Sequence, residues 1–197
     1  GNSGELQVYN GTTWTNMIGG TATIPNVTST TGRIWMDRNL GASQVATSST
    51  DTASYGDLYQ WGRGADGHQT RTSSTTSTLS STDVPGNASF ISASVSPKDW
   101  RSPQNGNLWQ GVNGVNNPCP SGYRIPTEAE WATELSSWST SNSDGAFASP
   151  LKLTVAGNRS SSAGAYFQVG TAGFYWSSSK QRTFTYPEIQ EIDRTLF

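Results

Sequence analysis

Few residues in this chain could carry chemistry. Its 197 residues include one cysteine, Cys119, and one histidine, His68. Neither a disulfide within the chain nor a Cys/His zinc site can therefore be assembled. A thiolate nucleophile needs a base or a cation beside it, and a Ser/His/Asp hydrolase needs an imidazole held against a serine. His68 falls in Gly64-Ala65-Asp66-Gly67-His68, which reads as a mobile surface loop. Cys119 reads either as a buried small hydrophobe or as a thiol without its disulfide partner. A paired-carboxylate site needs two acids facing each other across a cleft. Glu128, Glu130 and Glu134 instead share one stretch, where helix capping and solvation account for them. Gly62-Arg63-Gly64 lacks the strand–loop–helix setting and the lysine of a phosphate cradle. Asp37, Asn39, Asp57, Asn116 and Asn117 are oxygen donors for a structural calcium, but without the spacing of an EF-hand loop. The sequence thus predicts no catalytic residue, a chain that is not an enzyme, and no cofactor beyond that candidate calcium.

Neutral polar and aromatic side chains, by contrast, are plentiful. Ser and Thr make up roughly a quarter of the chain, with 21 Gly and 11% aromatic residues. Hydrophobic residues are 32% and charged residues 13%, against about 45–50% and 25% in ordinary soluble domains. Tyr, Ser, Gly and Asn build adaptable binding surfaces at low entropic cost. Two segments have that composition. The predicted ligand-binding residues are Asn158, Arg159, Ser160, Ser161, Tyr166, Phe167 and Gln168 in the first, and Tyr175, Trp176, Ser177 and Ser179 in the second. Trp176 taken alone also reads as a core residue. A net charge of −2 provides no basic field for a phosphate backbone, which argues against nucleic acid as partner. No run approaches the ~18 apolar residues of a membrane span.

These segments must be positioned by short elements. Leu6 to Trp14 reads as a β-hairpin turning at Asn10-Gly11, the dipeptide of a type I′ turn, within a leading piece over 1–22. Arg33 to Leu40 reads as a strand in which Ile34 and Met36 alternate with polar neighbours. Tyr55 to Arg63 reads as one or two helical turns or an irregular aromatic knot, and Gln69 to Asp83 as a long Ser/Thr surface excursion. One helix is clear, over about 127–138. Thr127-Glu128-Ala129-Glu130 forms a capping box, and Trp131, Leu135 and Trp138 lie at i, i+4 and i+7, an apolar stripe. Leu151–Val155 and Phe174–Trp176 read as short strands. After Pro187, Glu188-Ile189-Gln190-Glu191-Ile192-Asp193-Arg194 reads as a short exposed helix of different character.

Several segments together carry a family likeness. Gly32 to Gly41, Tyr55 to Arg63, Asn117 to Trp131 and Phe174 to Ser178 resemble, in order, the Fibrobacter succinogenes major paralogous domain. That family occurs in secreted, surface and phage-tail proteins, and it includes the variable proteins of diversity-generating retroelements. The resemblance implies an α+β, loop-rich, C-type-lectin-like domain over 32–179 with short antiparallel strands, used as a non-enzymatic display scaffold. It implies an adhesion or recognition module on a cell surface, in a virion fibre or otherwise outside the cell, whose partner is a protein or glycan ligand. By position, 158–168 and 175–179 match the start of that family's variable face. The likeness stops at Ser179, and residues 180–197 bear none to the family's ending, which carries a further cysteine. The sugar-binding motifs of true C-type lectins are missing, so calcium-dependent sugar binding is not implied. A shorter likeness of Tyr123 to Trp131 to formylglycine-generating enzymes stops short of their chemistry, which uses a pair of cysteines. The rival expectation is a structural subunit of a homo-oligomer or fibre, in which 180–197 docks on a neighbour.

Overall fold

In the computed structural model, residues 24–179 are described throughout, together with the strand segments Gln7–Tyr9, Trp14–Asn16 and Thr183–Tyr186. The class is α+β with little regular structure. Among the described residues, ten strands of two to four residues pair into five two-stranded ladders. β1 (Gln7–Tyr9) pairs with β2 (Trp14–Asn16), β3 (Asn26–Thr28) with β4 (Ile34–Met36), and β7 (Asn158–Arg159) with β8 (Tyr166–Phe167), all antiparallel. β9 (Gly173–Trp176) pairs antiparallel with β10 (Thr183–Tyr186). The expectation of antiparallel strands fails once, because β5 (Thr75–Thr76) and β6 (Phe90–Ile91) run parallel.

The leading hairpin forms, but Tyr9 lies opposite Trp14, so four residues connect its strands rather than Asn10-Gly11 alone. The connecting residues, the rest of 1–22 and the expected helix after Pro187 lie outside the described residues. β4 corrects the expected alternation. Ile34 is 61% exposed, whereas Trp35 turns inward onto Trp131, ring centroids 5.0 Å apart.

α1 spans Glu128–Ser136, and its capping box is complete: the Thr127 hydroxyl accepts from the Glu130 amide and the Glu130 carboxylate accepts from the Thr127 amide. Such a cap is worth about 0.5–2 kcal/mol. The stripe faces inward as predicted. Trp131 is buried, and Leu135 and Trp138 pack beside it on Ala146, Leu151 and Leu153. Glu134 corrects the expectation of solvation. It is 2% exposed, and its Oε1 accepts from the hydroxyls of Ser29 and Thr31 and from the Trp35 indole. A carboxylate in that place fastens residues 24–36 to the helix. A second helix, α2 (Ser143–Ala148), follows where the sequence suggested only a terminus, started by the Asn142 side chain accepting from two amides of its first turn.

The expected strand Leu151–Val155 is absent. Leu151, Leu153, Thr154 and Val155 are buried, but Lys152, half-buried, sits at φ 50° and breaks the extended run. Its amides go to separate partners, Leu153 to the Ala146 carbonyl and Val155 to Ser49. Backbone polar groups inside a protein must be paired, and here side chains often do the pairing. The Gln60 amide donates to the Ile91 carbonyl and accepts from its N–H, as a strand would. Trp61, Ile91, Trp100, Leu108, Trp109 and Ile125 form the second core cluster, with Tyr59, Cys119 and Trp176 against it. Tyr55 to Arg63 is the irregular alternative of the two predicted, preceded by one 3-10 turn over Thr52–Ser54. Five indoles close this region by donating to main-chain carbonyls: Trp61 to Ser177, Trp100 to Trp61, Trp109 to Arg63 and Asn116, Trp131 to Trp176, and Trp176 to Tyr59.

Candidate functional site

The structure separates the two predicted binding segments. The first is a hairpin. β7 and β8 pair Asn158 with Phe167 and Arg159 with Tyr166, joined by residues 160–165. The turn closes on itself, with the Ser160 amide donating to Ala165 and the Gly164 amide to Ser160. The hydroxyls of Ser160 and Ser162 lie 2.9 Å apart, and the Ser161 carbonyl accepts from the Ala93 amide. Gly164 sits at φ 69°, and a Cβ there would lie 2.9 Å from the Thr75 side chain. Only glycine suits that turn.

Arg159 holds the hairpin down. Its guanidinium lies 4.3 Å from the Phe90 ring centroid and 5.3 Å from that of Tyr166. It donates to the Gly164 carbonyl, to the Ser73 hydroxyl and carbonyl, and to the Thr75 hydroxyl. The Ser/Thr excursion thus serves as the hairpin's anchor, which its composition did not announce. The Tyr166 hydroxyl donates to the Arg71 carbonyl, and the Arg71 guanidinium donates in turn to Gly56 and Ala156. With its base held this way, the hairpin leaves Tyr166, Phe167 and Val169 exposed at 42%, 52% and 46%. Gln168 stands exposed among them at φ 54°. Val169 escaped the sequence reading because an isolated valine carries no signal for exposure.

The second segment has the opposite fate. Tyr175 donates its hydroxyl to the Thr154 carbonyl and accepts from the Thr154 amide, both at 2.8 Å. Trp176 packs on the core with its indole on Tyr59. Ser177 is fully buried. The carbonyls of 176, 177 and 178 accept from Trp131, Trp61 and Gln110 in turn, and the Ser178 amide donates to Pro126. Tyr175 and Trp176 are half-buried and Ser177 is fully buried, so this segment is engaged with the fold, in line with the core reading of Trp176. Their side chains are spent on the fold. Ser179 is half-buried at the end of this seam.

His68 also departs from expectation. It is fully buried, not on a mobile surface. Its Nε2 accepts from the Gln60 amide, so the ring proton sits on Nδ1 and is donated to Asp66 at 2.6 Å. Burial lowers its pKa from the ordinary 6.5. The pair resembles half of a catalytic triad, but the lone pair that would take a substrate's proton already holds a backbone N–H. Burial alone would raise the Asp66 carboxyl; hydrogen bonds from His68 and Arg63 outweigh it and hold it down at about 2. Arg63, fully buried over the Trp100 ring, also donates to Gln60, Ser89 and Asn87. Burial pushes the Cys119 thiol up to about 11, far from a reactive thiolate.

The calcium candidates serve separate loops. Asp37 takes the Arg38 fork. The amides of Asn39, Asn116 and Asn117 donate to carbonyls at Ser54, Gly62 and Val112 respectively, and Asp57 stands apart from these contacts. Among the described residues, no group of three or more His, Cys, Asp or Glu side chains is placed to hold a metal ion, and no helix is long and apolar enough to cross a membrane. The chain matches no family model, no curated protein and no solved structure.

Proposed function

We propose that this chain is a recognition module, built on a C-type-lectin-like scaffold, that presents the 158–169 hairpin to a protein or glycan on a cell surface. It would act outside the cell, on a surface or in a virion fibre. The observation that carries this reading is the contiguous exposure of Tyr166, Phe167 and Val169 on a turn whose base is clamped by Arg159. Exposed aromatics on a pre-ordered turn bind with little further loss of entropy. Grouped apolar exposure of this kind marks an interaction surface, whereas scattered apolar residues do not. The reading is tested by screening the chain against arrayed glycans and cell-surface proteins, alongside Phe167→Ala and Tyr166→Ala. Selective retention of one ligand, weakened at least tenfold by Phe167→Ala, supports it. Retention that both variants leave unchanged sinks it.

A further inference from the structure

His68 holds more than its own loop. Its Nε2 accepts from the Gln60 amide at 3.0 Å, and its carbonyl accepts from the Ser73 hydroxyl at 2.7 Å. That hydroxyl in turn accepts from the Arg159 guanidinium at 2.6 Å, so one oxygen joins the histidine's backbone to the clamp of the 158–168 hairpin. A second path reaches the same guanidinium. The Gln60 side chain bonds both main-chain groups of Ile91, and the ring of the adjacent Phe90 lies 4.3 Å from Arg159. One path starts at the histidine's own carbonyl and the other at the amide its ring holds. Both end on Arg159.

The ring fits this place in only one charge state. A neutral imidazole has one donor and one acceptor, and here Nδ1–H donates to Asp66 while Nε2 takes the Gln60 N–H. Protonation turns Nε2 into a donor that faces another donor. The ring is fully buried, so no water reaches it to take the new proton. The charged groups around it are Asp66 from its own loop, Arg63 from the preceding turn and Arg159 from β7, and Tyr59 meets it in a T-shaped contact. Burial is the main force holding its pKa below the ordinary 6.5; Asp66 opposes this, and the two guanidiniums add to it. We infer that His68 is an acid switch on the hairpin: its protonation releases the Gln60 amide, and the loss travels through Ser73 and Phe90 to loosen the Arg159 clamp. Asp66 stays ionised through this range and keeps its bond to Nδ1–H, so the loop has no need to unfold when the ring is charged. Loss of a bound ligand in acid rests on the recognition reading; loosening of the hairpin does not.

The chain has a single histidine, so NMR on the full chain follows its imidazole titration without ambiguity. Amide exchange, expressed as protection factors, is measured on the same samples from about pH 7.5 to about pH 4.5. Protection at the Ser160 and Gly164 amides should fall at least tenfold further than at the Ser178 amide, with the midpoint of the His68 titration. In His68→Gln, whose side-chain oxygen can accept from the Gln60 amide without titrating, that extra fall should disappear. Ser73→Ala cuts one of the two paths and should reduce it. Should His68→Gln fail to melt cooperatively, agreement of the two midpoints in the native chain decides. Titration of His68 with hairpin protection unchanged would overturn the inference, as would an equal fall at Ser178, which means general destabilisation. An extra fall that persists in folded His68→Gln, or a ring that stays neutral over the whole range, would overturn it as well.

Discussion

The hairpin at 158–168 and the seam at 175–178 are alike in composition and opposite in use. Each joins aromatic residues to a run of serines. In the hairpin, side chains hold the base and the turn's aromatics face water. In the seam, three successive carbonyls each receive a side-chain donor, and the serine at its centre is fully buried. What separates them is where their backbone hydrogen bonds go. A segment that satisfies its own polar groups locally is free to show its side chains, while one that accepts from the core becomes part of it.

Substitutions can break or sharpen that contrast. The largest effect is expected from Trp176→Ala, which empties a core position and strands the Tyr59 carbonyl, costing about 3–5 kcal/mol. A urea titration measures it, and a loss below about 1 kcal/mol would mean that the seam is not structural. Acid should act next, on the molecule that carries both segments, since neither holds a group that titrates between neutrality and pH 2. His68 has its folded pKa below 6.5, so the unfolded chain takes up that proton first and stability declines as pH falls below about 6.5. Asp66 and Glu130 are both held at about 2, Glu130 chiefly by the Arg124 hydrogen bonds. Their stability is present above their ordinary values of 3.8 and 4.5 and is lost as pH falls toward about 2. That amounts to on the order of 2 kcal/mol each. Midpoints of urea unfolding against pH should show both declines, with Asp66→Asn removing part of the lower one.

Arg159→Met should come third, at about 1–3 kcal/mol for the lost charge-assisted bonds. It should loosen only the hairpin. Hydrogen exchange should quicken at the Ser160 and Gly164 amides and stay unchanged at the Ser178 amide. Equal loss of protection at all three would join the two segments into one unit. The smallest stability effect is expected of Phe167→Ala, within about 0.5 kcal/mol, although it should cost most in ligand retention. A thermal melt beside the retention assay separates the two quantities.

The sequence made some of this plain. The capping box and the Trp131, Leu135, Trp138 stripe were legible because both are local patterns with a fixed period. β9 was legible from its aromatic run. Lys152 hid the break in 151–155, since a lysine at positive φ has no sequence mark. Glu134 was misread because its partners Ser29, Thr31 and Trp35 lie about a hundred residues away. His68 was misread for a related reason: its glycine-rich neighbourhood looks mobile, and only the fold places the Gln60 amide over its ring. At the site, exposure of the hairpin and burial of the seam were illegible because one composition serves both.

The indole donors that close the loops also bear on how this chain can change over generations. Where a β-sheet holds a path, every residue of a strand contributes to the register, and most substitutions disturb it. Here a loop's course is fixed at a few points, such as Trp61 on Ser177 and Trp176 on Tyr59. The codons between those points are released from holding the path. Mutations should therefore accumulate unevenly, with the tryptophans nearly fixed and the intervening serines, threonines and glycine-free turns drifting. A library selected only for solubility and folding would reveal that pattern as a map of invariant positions separated by tolerant stretches.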